Sequence, residues 1–175
     1  MSAHTPHPDQ NAASIPCAVL TVSDTRTPAT DQSGQLMKNQ LASMGHTVTH
    51  YQIIEDDTEQ ITALIKSLAK RPDIQAILIN GGTGIAPRDT TYDAVSKLLT
   101  KELPGFGEIF RQLSYAEIGS RAIASRAVAG VRTQGTNGST RNTLIFSVPG
   151  SSKAVKLALE ALILPELVHL TTLIS

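Results

Sequence analysis

The chain has 175 residues, of which 41% are apolar and only 3% aromatic, and 15 basic residues balance 15 acidic ones. That is enough for one domain around an aliphatic core. Zero net charge argues against a general nucleic-acid or anionic-membrane binder, which would carry a basic excess or stripe.

The first fourteen residues, "MSAHTPHPDQNAAS", are polar and Pro-bearing and read as a loose tail, with a single domain over 15–175. They lack the basic start and apolar run of a signal peptide. No apolar run reaches the roughly 20 residues that span a bilayer. A cytoplasmic protein without membrane or nucleic-acid partners is the expectation.

"CAVLTVSD" then reads as a short apolar strand ending in polar residues. It holds the single cysteine, Cys17, so no disulfide or thiolate cluster forms within the chain, and a small core residue is the economical role for this thiol. After "TRTPATD", Ser33 to Met44 reads as a helix with Leu36, Met37, Leu41 and Met44 apolar, closed by Gly45. "HTVTHYQII" is β-branched and strand-like. Thr58 to Lys70 is the clearest helix: Asp57 caps it, Gln60 completes a capping-box pattern, and Ile61, Leu64, Ile65 and Leu68 share a face.

"AILIN" is a continuous apolar strand of the kind a parallel sheet buries on both faces. A Gly-rich turn leads to a helix over Thr91 to Leu99. "LPGFGEIFRQLSYAEIG" reads as irregular, then helical from Glu108. "SRAVAGV" and "TLIFSVPG" are two more strands, and the polar, Gly-bearing "RTQGTNGSTRN" between them reads as a flexible excursion. Ser151 caps a last helix in which Ala154, Val155, Ala158, Leu159 and Leu162 share a face, and Pro165 should break or restart it. Leu157, Leu159 and Leu162 wrap much of its circumference, which points to burial on more than one side and to a homo-oligomer. Strands alternating with helices imply an α/β fold with a mainly parallel sheet.

Ligands of such sheets bind beyond the carboxyl ends of the strands. "SDTR", "GGTG" and "PGSS" each follow a predicted strand. Gly81-Gly82-Thr83-Gly84 lets a backbone approach a ligand and aim N–H groups at a phosphate, although a plain tight turn explains it equally well. It is neither a P-loop, for no Lys follows, nor a dinucleotide fingerprint, for Pro87 stands at the third glycine. Ser151 and the N–H groups beside it suit an anion or a simple helix cap.

Asp24, Asp56 and Asp89 each follow a predicted strand, and carboxylates beside a phosphate loop suit Mg²⁺. An Asx turn at Asp24, a cap at Asp56 and an ion pair of Asp89 with Arg88 are the plainer roles. Ser125 and Arg126 open a strand where they could touch an anion. The five histidines are scattered without metal-ligand spacing.

In their order, "TVSDTR", "GGTGIAPRD", "PGFGEIFR", "SRAVAG" and "LIFSVPGS" resemble the molybdenum-cofactor biosynthesis family that includes MoaB and MogA, from about Ile15 to about Leu167. The resemblance is nearer the MoaB branch. It implies a three-layer α/β/α molybdopterin-binding fold, trimers or hexamers, and other proteins of the pathway as partners. It also implies adenylylation: the terminal phosphate of molybdopterin attacks the α-phosphate of ATP and pyrophosphate leaves. A non-catalytic carrier of molybdopterin or a precursor is the alternative. Carried over by position, Gly81, Gly82, Thr83, Gly84 and Arg88 belong to the Gly-rich loop. Ser23 and Asp24 form the first-strand site, and Pro149, Gly150 and Ser151 the last. Asp56 and Asp89 become the catalytic, Mg²⁺-linked acids, while Glu108, Ser125 and Arg126 line the pterin end.

Overall fold

The computed structural model describes residues 13–136 and 139–175; most of the expected tail lies outside them. Six strands form one sheet: β1 (Pro16–Val22), β2 (Thr47–Ile54), β3 (Ala76–Asn80), β4 (Lys101–Glu102), β5 (Val128–Thr136) and β6 (Ser139–Val148). Their spatial order is β2-β1-β3-β6-β5-β4. β2, β1, β3 and β6 are parallel, whereas β5 runs antiparallel to β6 and β4 antiparallel to β5.

Alternation along the strands divides the core in two, because successive side chains of a strand point to opposite faces. Cys17, Val19, Ala76, Leu78, Leu144 and Phe146 face one side. There they meet α1 (Gln32–Ser43), α4 (Pro104–Ile118), α5 (Ser152–Ala158) and α6 (Leu164–Leu173). Ala18, Leu20, Ile77, Ile79 and Ile145 face the other, under α2 (Thr58–Ala69) and α3 (Thr91–Leu98). The result is the expected three-layer α/β/α arrangement. No helix among the described residues is long and apolar enough to cross a membrane.

Local signals fix most boundaries. Asp57 accepts from Gln60 N–H at 2.8 Å to start α2, while the Gln60 amide turns to Glu55 and leaves the reciprocal half of the box unmade. Gly45 follows α1 at φ +82°. Ser151 accepts from Ala154 N–H at 3.2 Å to start α5.

Two expectations change. "LPGFG" is helical, for α4 begins at Pro104, whose fixed φ and missing N–H suit a first turn. The supposed excursion is largely strand: β5 and β6 pair from Val128↔Ser147 out to Thr136↔Ser139, so the polar stretch satisfies its backbone in a ladder. As expected, the last helix restarts at Pro165. A π-helical turn, Leu159–Ile163, precedes it and leaves Pro165 in the first turn of α6, where no N–H donor is needed.

Candidate functional site

The exits of β1, β2, β3 and β6 lie along one sheet edge, as their parallel registers require. Gly81 and Gly82 take φ +97° and +63° there, values that an L side chain rarely adopts. Crowding requires glycine as well. A Cβ on Gly81 would strike the Val22 carbonyl, and one on Gly82 would strike Thr91 Oγ1 and Asp56 Oδ2. Gly150 closes against the same turn, its Cβ position lying 3.0 Å from Gly81 Cα. The "GGTG" and "PGSS" turns are therefore in backbone contact.

A cleft of about 220 Å³ opens here, lined by Ser23, Asp24, Asp56, Gly82, Arg88 and Asp89 with Val22 and Thr25. Asp24 Oδ1 accepts the Asp56 N–H at 3.0 Å, fixing the exits of β1 and β2 together. Asp56 Oδ1 takes three donors: Thr90 N–H at 3.0 Å, Thr90 Oγ1 at 2.8 Å and Thr91 Oγ1 at 3.4 Å. It thereby caps α3 at long range, and Oδ2 stays outside that set. Asp89 Oδ2 accepts Ala86 N–H at 3.0 Å, closing a turn inside the loop. Arg88 is exposed at the rim.

A second cleft of about 530 Å³ shares Ser23 and Asp24 and is walled by Arg26, Tyr51 and Ile53 among others. Beneath it lies a polar cluster that sequence reasoning missed. Asp31, the cap of α1, is 1% exposed. It accepts from Thr21 Oγ1 at 2.6 Å, Tyr51 Oη at 2.7 Å, Gly34 N–H at 2.9 Å and Arg26 Nη1 at 3.2 Å. Burial alone pushes this carboxyl up, but the hydrogen bonds from Thr21, Gly34 and Tyr51 and the Arg26 charge outweigh it and hold Asp31 below the usual carboxylate range. Burial, then the Asp31 hydrogen bond and charge, push the Tyr51 phenol up to about 12.

Arg26 Nη2 and Ser33 Oγ both donate to Gly150 O, at 3.0 and 2.8 Å. The cluster thus ties the last-strand turn to the first-strand loop. An Asp three residues before Gly34 was a legible cap signal; nothing local marks Tyr51.

The carried-over residues do not all meet in one cleft. Ser125 lines a separate cavity of about 150 Å³ with Pro149 and Ser151. Glu108 is exposed on α4 and lines neither cleft. Arg126 lies against the Gly-rich loop, donating to Thr83 O at 3.0 Å and pairing with Asp93 at 3.1 Å.

Among the described residues, no group of three or more His, Cys, Asp or Glu could hold a metal. The edge still fits Mg²⁺ in the way that ion is usually held, by one or two carboxylates with phosphates and water completing the shell. Asp24, Asp56 and Asp89 line the smaller cleft, and the Oδ2 atoms of Asp24 and Asp56 lie outside the hydrogen bonds described above.

A doubly covered, mainly parallel sheet with a glycine-lined, acid-bearing exit edge places the chain among the α/β domains whose strand ends open onto a cleft. Residues 18–169 match a family described as a probable molybdopterin binding domain. The chain is 54% identical over 164 residues to "Molybdenum cofactor biosynthesis protein B" of Halalkalibacterium halodurans, covering 93% of this chain and 92% of that one. A crystal structure of a molybdenum cofactor biosynthesis protein B superposes with TM-score 0.87 at 47% identity, over 94% of this chain and 98% of that chain. The tungsten cofactor synthesizing protein MoaB from Pyrococcus furiosus does so with TM-score 0.80 at 34% identity, over 92% and 97%. The chain belongs to this molybdopterin-binding-domain family, among the molybdenum cofactor biosynthesis B proteins.

Proposed function

We propose that this protein serves molybdenum cofactor biosynthesis by binding molybdopterin at the strand-exit edge and adenylylating it with ATP. One observation carries the reading: the glycine turn, Asp56 and Asp89 border a single cleft beside a larger one with room for a ring system. The names of the relatives support its place in molybdenum cofactor biosynthesis.

In the reaction, a terminal phosphate oxygen of molybdopterin forms a bond to the α-phosphorus of ATP. The bond from that phosphorus to the bridging oxygen breaks, and its electron pair leaves with pyrophosphate. Such a transfer needs positioning and charge neutralisation more than a covalent helper. With the Gly81 N–H held by Val148 O at 3.1 Å, Gly82 to Gly84 bring N–H groups close, Ser151 and its turn hold a second anion, and Arg88 offsets charge at the rim. Mg²⁺, when bound by Asp56 and Asp89, supplies further charge neutralisation to the phosphates.

The test incubates the protein with molybdopterin, Mg²⁺ and ATP and detects adenylylated pterin by mass. Product that vanishes in Asp56→Asn and Asp89→Asn, with pterin binding retained, is expected; unchanged turnover in both would remove these acids from the site.

A carrier role is the second reading, and one observation favours it: Asp56 Oδ1 is already occupied by three donors. Pterin binding without product would select it. A cytoplasmic homo-oligomer working beside other proteins of the pathway completes the proposal. Tyr115 and Ile123, 64% and 85% exposed, suit burial against further copies, and sedimentation distinguishes trimer from hexamer.

A further inference from the structure

The Arg126 guanidinium has five N–H bonds, and the protein itself takes up all of its nitrogens. Nε donates to Thr83 O at 3.0 Å, and Nη2 donates to Gly84 O and, at 3.4 Å, to Asp89 O. Nη1 donates to both Asp93 oxygens, at 3.1 and 3.3 Å. The group also sits 4.7 Å from the Tyr92 ring centroid. Nothing in this arrangement leaves the cation free to grip a ligand.

Its effect runs through the peptide planes. In a trans peptide the C=O and the following N–H point in opposite directions, and the described residues contain no cis peptide. When Arg126 draws in the carbonyls of Thr83, Gly84 and Asp89, the N–H groups of Gly84, Ile85 and Thr90 point away from it. Of the three, Thr90 N–H reaches Asp56 Oδ1 at 3.0 Å, and Asp56 lines the smaller cleft together with Gly82, Arg88 and Asp89 of the same loop. The Gly84 and Ile85 N–H groups donate no hydrogen bond among the described residues.

We infer that Arg126 is a positioning residue, a clamp that turns the Gly84 and Ile85 N–H groups outward as a two-donor seat for a phosphate of the substrate. The inference rests on the reading of the edge as a phosphorylated-ligand site. Consecutive N–H groups of a turn are a known way to build an anion seat. Arg suits the clamp because a planar fork reaches several carbonyls at once, which a lysine ammonium cannot do.

The experiment compares wild type with Arg126→Lys and Asp93→Asn. Asp93 touches Nη1 at the far side of the loop, so its loss weakens the clamp without removing the guanidinium. Binding of molybdopterin, and separately of inorganic pyrophosphate, is measured alongside hydrogen exchange of the ligand-free 83–91 segment. That segment holds the bonded amides of Ala86, Asp89, Thr90 and Thr91.

The clamp predicts faster exchange in both variants before any ligand is added. It predicts about tenfold weaker binding of both probes in Arg126→Lys, and roughly two- to fivefold in Asp93→Asn, the range of a half-exposed ion pair. Weaker binding with unchanged exchange would make Arg126 a ligand contact and overturn the inference. Unchanged binding in Arg126→Lys would overturn it too. Wild type that binds pyrophosphate but not molybdopterin would reject the proposed function and leave the clamp standing; wild type that binds neither would reject the seat.

Discussion

Tyr51 donates its hydroxyl to Asp31 Oδ2 across 2.7 Å, joining the sheet's edge strand to the cap of α1. The same carboxylate fixes Arg26, and Arg26 holds the Gly150 carbonyl at the far turn. A phenol on β2 therefore bears on the geometry of a turn that follows β6. Tyr51→Phe removes one hydrogen bond to a charged group and should destabilise the fold by about 1.5–3 kcal/mol.

The pH dependence of this cluster has a definite sign. The folded-state Asp31 value lies below the ordinary aspartate value of 3.8, so the stability it contributes is present above about pH 3.8 and is lost as pH falls through the lower folded value. Urea midpoints across that acid range should drop less steeply in Asp31→Asn than in wild type, although Asp31→Asn starts lower at pH 7. Parallel acid limbs would show that other carboxylates carry the effect.

Gly82 and Gly45 separate two costs of adding a methyl group. Both take a left-handed φ, +63° and +82°, but a Cβ on Gly45 meets nothing within 4 Å whereas one on Gly82 strikes Thr91 and Asp56. Gly45→Ala should cost about 1 kcal/mol, the backbone penalty alone. Gly82→Ala should cost a further 1–3 kcal/mol or so and weaken pterin binding, because the turn must move. Equal melting temperatures for the two variants would contradict this.

His46 Nδ1 accepts the Ile15 N–H at 3.2 Å and is 8% exposed, and burial pulls its pKa below 6.5. A protonated Nδ1 cannot accept. A depressed folded value means the contribution is present above pH 6.5 and is lost as pH falls through the folded value. Stability should decline on acidification below pH 6.5 in wild type and stay flatter in His46→Gln, whose amide oxygen accepts at any pH. Identical slopes would exclude His46 as the source.

Cys17 is fully buried, and burial pushes its thiol up to about 12. A maleimide at pH 8 should label it about a hundredfold more slowly in the native protein than in urea, so labelling reports opening of β1. Rapid native labelling would mean that this strand opens far more readily than its burial implies.

The pattern of apolar residues carried much of the fold. "AILIN" and "CAVLTV" announced central strands because both of their faces are buried, and Asp57 and Ser151 announced helix starts because capping is local. The direction of β5 was illegible: nothing within "SRAVAGV" tells whether its partner lies up-chain or down-chain. "RTQGTNGSTRN" misled because cross-strand pairing, and not propensity, decides such a polar segment. At the site, glycines and acids next to strand ends could be read in order. Arg26, Tyr51 and the reach of Arg126 across 42 positions to Gly84 are tertiary facts with no local signature.

The reversal of β5 also bears on which pieces of this chain could work alone. Because β5 opposes its neighbours, Arg126, two residues before it begins, stands at the edge that β1, β3 and β6 run out to. The chain visits that edge at Asp24, Asp56, Gly82, Arg126 and Gly150, so five widely spaced segments share one small area. No fragment ending before the last visit retains the whole edge, and no cut between visits yields a half with its own site. The edge is a product of the finished fold, and truncation would remove it as a unit and not by degrees.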